Sequence, residues 1–281
     1  MFANRSLASR IDGAEARLCT GFARARRIEF RTAVLSVSGG LAVYAGPASP
    51  MTKVIGLALD GPLDLSSLAD AEREWRDRGE PVRVELSVLA DAAAAPTLSE
   101  RGYRLLGFEN VLACSLERLP EAALAPDVTI ERLPAGDASL WTDLAVTASL
   151  DQDGSGSVAD DLLPRDQLTQ ELLDFGRIPG LVRYLARIDG QPVGEAALHL
   201  DCDSGLAQLV GAGTLPAFRG RGVQKALVQR RLADARKAGC DLGVVTTAPG
   251  TRSQDNVMRR GFVVLYTRAI LVRRWDDTRA D

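Results

Sequence analysis

Histidine is almost absent from this chain, with His199 the single one among 281 residues. Ser-His and Cys-His nucleophile pairs, and metal centres built from several histidines, would all have to draw on it, which argues against hydrolase chemistry of those kinds. Cysteine is scarce as well. Cys19, Cys114, Cys202 and Cys240 lie far apart in the sequence, with no C-x-x-C pair and no histidine to complete a metal site, so they are expected as reduced thiols and no metal is expected. No apolar run reaches roughly 18 residues, and Met1 to Arg10 hold no apolar core for a signal peptide. A cytoplasmic location without a membrane partner is the resulting expectation. An excess of either charge is also missing, since 34 basic against 37 acidic side chains leave -3. No global field favours nucleic acid, and any anion site must be local.

What is present describes compact folding. The hydrophobic share of 46% with 25% charged residues is ordinary for globular chains, and 281 residues suffice for two domains with separate cores. Ile11, Ala14, Leu18 and Phe22 recur at helical intervals and predict an amphipathic helix over Ser9 to Arg27. Short aliphatic runs at Val34 to Val37, Leu41 to Tyr44 and Val54 to Leu59, separated by Gly and Pro turns, predict a meander. A helix over Leu65 to Arg78, a strand over Val82 to Leu89, a helix ending at Arg101-Gly102 and strands through Tyr103 to Leu116 follow.

That order recurs later. Gln224 to Ala238 reads as a helix ended by Gly239, Leu242 to Thr247 as a strand, Ser253 to Arg260 as a helix ended by Gly261, and Phe262 to Val272 as paired strands. The run R-D-R-G-E-P-V-R-V-E-L followed by S-E-R-G-Y-R-L-L-G-F matches A-R-K-A-G-C-D-L-G-V-V followed by V-M-R-R-G-F-V-V-L-Y. One unit is thus present twice, each a mixed α/β sheet flanked by helices. Glu117 to Pro126, rich in Pro, Ala and Glu, reads as a linker and divides the chain into 1–121 and 122–281. The second unit adds a strand at Val128 to Leu133, a helix from Asp137 to Ala148, a polar loop Asp151 to Ser157 and a helix Arg165 to Phe175. Strands Leu181 to Ile188, Pro192 to Leu200 and Leu206 to Thr214 come next.

After the last of these strands the chain reads L-P-A-F-R-G-R-G-V-Q-K-A-L-V, and a helix begins inside that run. Gly220 and Gly222 permit a tight turn and a close backbone approach to a ligand. The N–H groups at the helix start, from Val223, Gln224 and Lys225 onward, with the positive end of the helix dipole behind them, make an anion site. Arg219, Arg221 and Lys225 add charge there. The loop is not G-x-G-x-x-G and lacks G-K-[ST], so neither a Rossmann nor a Walker reading fits.

The segment from Val210 to Tyr266 resembles the core of the GNAT superfamily of acyl-CoA N-acyltransferases, whose signature is R/Q-x-x-G-x-G/A. Arg219 and Gly222 match it, while Gln224 stands where the family has Gly or Ala, which should crowd the cradle slightly. S-Q-D-N at 253 to 256 before R-R-G-F is similar to the element closing the family's coenzyme site, and the likeness covers roughly residues 127 to 274. The resemblance implies two GNAT-like domains with acetyl-CoA or another acyl-CoA as co-substrate. Asn256 would contact its pantetheine or adenine side, and Ala212, Gly213 and Thr214, in a run permissive for a bulge, would present N–H groups to the thioester. The acceptor it implies is an amine of a small molecule or peptide, acylated in a direct ternary complex by a monomer or homodimer.

For the base, Leu206 to Thr214 carries no carboxylate, and Glu195 on the preceding strand is the substitute. His199, beside Asp201, reads as a surface or turn histidine. The family's proton-donating tyrosine is replaced by Val257, leaving Tyr266 and Tyr184 as stand-ins, or water. Counting the Gly222-to-Gly261 interval back from Gly102 lands at Leu63 and Asp64, where aspartates would repel pyrophosphate. The first half is accordingly read as a degenerate, structural copy. Asp151, Asp153, Asp160 and Asp161 could attract a cationic amine, although such a run is usually a solvated loop. The missing tyrosine and strand glutamate favour an alternative, a non-catalytic acyl-CoA-binding regulatory module.

Overall fold

The computed structural model describes residues 2–26, 30–117, 127–134, 139–151 and 163–275. Most of the expected linker, the polar loop beyond Asp151, and Asp153, Asp160 and Asp161 lie outside the described residues. The first half contains α1 (Arg5–Ala25), β1 (Ala33–Val37), β2 (Gly40–Tyr44), β3 (Lys53–Ile55), α2 (Leu65–Arg76), β4 (Val82–Ser87), α3 (Ala94–Glu100) and β5 (Arg104–Ser115). The second contains β6 (Thr129–Arg132), α4 (Ser139–Leu150), α5 (Arg165–Phe175), β7 (Leu181–Ile188), β8 (Gln191–Asp201), β9 (Leu206–Thr214), α6 (Val223–Lys237), β10 (Leu242–Thr247), α7 (Arg252–Met258) and β11 (Val263–Arg273). The paired strands expected at each end are single long strands, β5 and β11. No Gly or Pro interrupts V-V-L-Y-T-R-A-I-L-V-R, and Gly107 inside β5 is passed without a turn.

Two compact units result, and among the described residues the chain passes between them after Asn110 and again before Leu265. In the first unit the strand neighbours run β1, β2, β3, β4, β11, then β5 as far as Asn110. In the second they run β5 from Val111, then β10, β9, β8, β7 and β6. The repeat read in the sequence is therefore present as topology. β1-β2-β3 and β7-β8-β9 are antiparallel meanders, and β3-β4 and β9-β10 are parallel pairs. The strand completing each unit comes largely from the other half of the sequence, so the division differs from one cut at 121/122. Strand pairing at that sequence separation has no local signature.

The second unit's core shows why β5 belongs there. Leu112, Cys114 and Leu116 bury beside Leu227, Leu232 and Ala235 of α6. A Cβ on Gly243 would lie 2.9 Å from Leu232 and 3.3 Å from the Cys114 thiol, so only glycine admits this approach. α6 itself ends as its sequence dictates. Arg236 and Lys237 complement the dipole of its last turn, and Gly239 at φ +86° lets the Cys240 N–H return to the Ala235 carbonyl.

The first unit has an apolar layer and a charged one. Leu68, Trp75, Leu98 and Leu271 belong to the former. In the latter, Asp12 and Glu15 of α1, Glu85 of β4 and Glu109 of β5 surround Lys53 and Arg268. Burial, with Glu85 nearby, pushes the Glu109 carboxyl up to about 8. Arg268 on β11 is fully buried and bonds Glu15 at 2.5 Å and Glu109 at 2.9 Å, which fixes this C-terminal strand in the first unit.

Candidate coenzyme and acyl-transfer site

β9 leads through a single turn, Pro216–Phe218, into the loop before α6. Gly220 and Gly222 both take φ +82°, a left-handed conformation costly for residues bearing a Cβ, and Gly222 is the N-cap of α6. No side chain caps this helix, and its first turn carries no acid. Among the described residues no carboxylate is seen to accept from its leading N–H groups, which are left as donors. Val223 buries its side chain in the core and offers an anion only its N–H. Gln224 does not crowd the loop as expected, because its amide turns back to donate to the Thr214 hydroxyl at 2.9 Å. Arg221 is exposed, with its guanidinium 5.6 Å from the Phe218 ring centre, and Lys225 is half-buried in the first helical turn. Arg219 bonds the Asp151 carboxylate at 2.9 Å and the Asp151 carbonyl at 3.1 Å.

The equivalent helix of the first unit, α2, is capped by Asp64, whose carboxylate accepts from the N–H groups of Ser66 and Ser67 at 3.0 and 3.1 Å. Hydrogen bonds from Ser67 and Ser66 hold the Asp64 carboxyl below its ordinary range. This helix start is an anion site already filled by its own aspartate. Asp64→Ala should lower the midpoint of thermal unfolding slightly through loss of the N-cap. Acetyl-CoA affinity, measured by titration calorimetry, should stay unchanged. A large loss of affinity would show that the first half does hold coenzyme.

β9, the strand that leads into the loop before α6, is bulged. Ala196 pairs with Ala212 but Ala197 with Val210, which leaves Gly211, at φ +53°, unmatched on β9. The parallel ladder of β9 with β10 covers Leu206 to Gln208 only, although both strands continue. Among the described residues β9 has no ladder partner on that side from Leu209 onward. Ala212, Gly213 and Thr214 follow the bulge.

Glu195 lies opposite Gly213 in the β8-β9 register and is 4% exposed. A Cβ on Gly213 would come within 2.7 Å of its carboxylate oxygen and 2.3 Å of Ala148 on α4, so glycine is required there. Burial pushes the Glu195 carboxyl up to about 7, while Arg231 and the Gly213 N–H hold it from rising further. Neither Arg231 nor Trp141 is evident from the loop motif. Arg231 occupies a core-facing position of α6, four residues from both Leu227 and Ala235, and an arginine inside an apolar stripe is the signal that could have found it. Trp141 of α4 donates to the Ala196 carbonyl at 3.2 Å, on the flank of the bulge.

The tyrosines are occupied elsewhere. Tyr266 belongs to the first unit. Its hydroxyl donates to Asp12 at 2.5 Å, and burial drives its ionisation far above the ordinary range. Tyr184 donates to Asp234 at 2.9 Å. His199 is buried rather than at the surface, its Nδ1 2.9 Å from Gln208 Oε1, because β8 is covered on both faces. Asn256 sits partly exposed on α7, which packs against α6. The Asp241 N–H donates to the Gly205 carbonyl and joins the turns that carry Cys202 and Cys240, whose thiols donate to the Ala238 and Leu206 carbonyls at 3.9 and 3.5 Å. Among the described residues no cluster suited to a metal occurs, and no helix is long and apolar enough to cross a membrane.

A helix start without a side-chain cap after a glycine turn, next to a bulged strand, is the local arrangement of the second unit. Residues 150–262 match the family model described as acetyltransferase (GNAT) family, and this chain carries a GNAT-family domain there. Among solved structures, a GCN5-related N-acetyltransferase from Kribbella flavida is similar over 94% of this chain and 95% of its own, with TM-score 0.67 and 20% identity. A tandem GNAT protein from the clavulanic acid biosynthesis pathway is similar over 77% of this chain and 70% of its own, with TM-score 0.56 and 13% identity. A GCN5-related N-acetyltransferase from Sphaerobacter thermophilus covers 74% of this chain and 67% of its own, with TM-score 0.55 and 17% identity. At such identities the likeness is one of fold. No curated protein matches the sequence.

Proposed function

We propose that the second unit transfers an acetyl or other short acyl group from acyl-coenzyme A to an amine of a small molecule or peptide, in a direct ternary complex. The observation carrying this reading is the juxtaposition of the uncapped α6 start with the bulge at Gly211 and a buried glutamate tuned to about 7. The α6 N–H groups, Arg219, Arg221 and Lys225 hold the pyrophosphate, with Asn256 at the far side of the coenzyme. The strand from Ala212 to Thr214 offers N–H groups to the thioester carbonyl as negative charge develops on oxygen. Glu195 accepts the proton of the attacking amine, for which a carboxyl titrating near neutral pH is suited. The amine nitrogen forms a bond to the carbonyl carbon, the C–S bond breaks, and the thiolate takes its proton from water, because Tyr184 and Tyr266 are committed to carboxylates.

The first unit, with its self-capped helix, is a structural copy. The test is thiol release from acetyl-CoA in the presence of a panel of polyamines, amino sugars, amino acids and peptide N-termini. Amine-dependent release supports the enzyme. Tight acetyl-CoA binding with no release across the panel would favour the second reading, a regulatory acyl-CoA-binding module, for which the absence of an available tyrosine hydroxyl speaks.

A further inference from the structure

Arg231 has no place in that scheme so far, yet it is the most unusual side chain of α6. It is 3% exposed and stands in the helix's apolar stripe. Its Nε returns to the Leu227 carbonyl of its own helix at 3.2 Å, which fixes the guanidinium plane. Its Nη1 reaches the sheet and donates to the Ala197 carbonyl on β8 at 3.1 Å and to the Gly211 carbonyl on β9 at 3.4 Å. Those two residues flank the register shift, one on each strand, and Gly211 is the residue without a β8 partner. Burying a guanidinium is unfavourable unless its donors are used, so an arginine kept here answers a specific need for donors. A bulge supplies that need. It removes a carbonyl from the regular ladder inside the protein, and that oxygen must find another donor.

We propose that Arg231 is the positioning residue of the acyl site, clamping the two strands on either side of the bulge so that β9 stays splayed with its N–H groups turned to the thioester. This deepens, and rests on, the acyl-transfer reading of the second unit. Because Arg231 belongs to the helix whose first turn forms the cradle, one rigid element sets both ends of the coenzyme site. The separation from Gly222 to Arg231 is nine residues, about 13 Å of helix at 1.5 Å per residue. Glu195 has Gly213 opposite it on β9, Leu185 on β7, Ala148 on α4 and Arg231 on α6, and among the described residues Arg231 is the charged group acting on it. The same guanidinium thus keeps the carboxylate usable as a base while holding the backbone that binds the carbonyl.

The test uses the full-length protein with Arg231→Lys and Arg231→Met and two readouts that need no acceptor. Hydrogen exchange is followed by mass spectrometry on peptides covering 206–216 and, as an internal reference, 181–188. The carbonyl band of acetyl-CoA labelled with carbon-13 at the carbonyl is followed by difference infrared spectroscopy on the bound coenzyme. Exchange over 206–216 should accelerate about tenfold or more in both variants while 181–188 stays as in wild type. The carbonyl band, shifted to lower frequency in wild type, should return toward that of free acetyl-CoA, with affinity for desacetyl coenzyme A within about threefold. Arg231→Lys retains the charge and most of the volume, so it decides the matter if Arg231→Met does not fold. Wild-type exchange and an unmoved band in Arg231→Lys would overturn the proposal, as would equal acceleration in both peptides. If wild-type protein binds no acetyl-CoA, the acyl-transfer reading fails, while the exchange data still decide whether Arg231 holds the bulge.

Discussion

Gly222→Val is expected to remove measurable acetyl-CoA binding while the protein still folds. Gly222 takes φ +82° at the N-cap of α6, and a β-branched residue there pays about 1 to 2 kcal/mol in backbone strain. That is tolerable for a domain of this size, but the branched side chain would stand where phosphate oxygens approach the α6 N–H groups. Arg221→Ala should weaken acetyl-CoA by about 1 to 3 kcal/mol, the scale of a charge-assisted hydrogen bond, and more at low salt. Arg219→Ala should fall at the low end of that range, because Arg219 must exchange its partner Asp151 for phosphate. By the same reasoning Asp151→Ala should raise affinity slightly, since a half-exposed ion pair is worth about 0 to 1 kcal/mol. Titration calorimetry with circular dichroism on each variant measures these effects. Folded Gly222→Val and Arg221→Ala proteins that bind like wild type would reduce the loop to a basic turn.

Glu195→Gln should lower turnover by about 100-fold or more with acetyl-CoA affinity intact, the usual worth of general-base catalysis. The sign of the pH dependence follows from the raised carboxyl. Burial favours its protonated form, so the wild-type rate should fall as pH drops through about 7 rather than through the ordinary carboxylate range near 4.5. The glutamine variant should lose this acidic limb. The measurement is thiol release against pH with an amine found in the acceptor screen. An acidic limb unchanged in Glu195→Gln would assign it to another group and leave water to take the amine's proton.

The cradle was legible because it is local. Gly220, Gly222 and the arginines between and before them lie within a few residues, and the left-handed turn and the helix start are dictated by that stretch alone. Asp64 was reachable by counting, since the repeat preserves the interval between the helix start and the glycine that ends the next helix. Glu195 could be named from its strand but not tuned. Its shifted carboxyl depends on α4 covering Gly213 and on Arg231 reaching across from α6, neither of which is adjacent in sequence. The partner of Tyr266 could not be read from its strand, because its hydroxyl donates to Asp12, more than 250 positions earlier.

Periodicity, glycine punctuation and the R-G-R-G-V-Q loop determined by themselves the order of helices and strands, the doubling of the unit and the left-handed turn that starts α6, where we propose the anion binds. These properties rest on local backbone preference and on which face of an element is apolar. Only the tertiary structure decided which strand completes each unit, where Tyr266 and Arg268 go, and why a glutamate on β8 can titrate near neutral pH. Those outcomes depend on burial and on pairing between distant segments. An arginine or tyrosine written the same way can be a solvated side chain or a buried clamp, and its partners settle which it is.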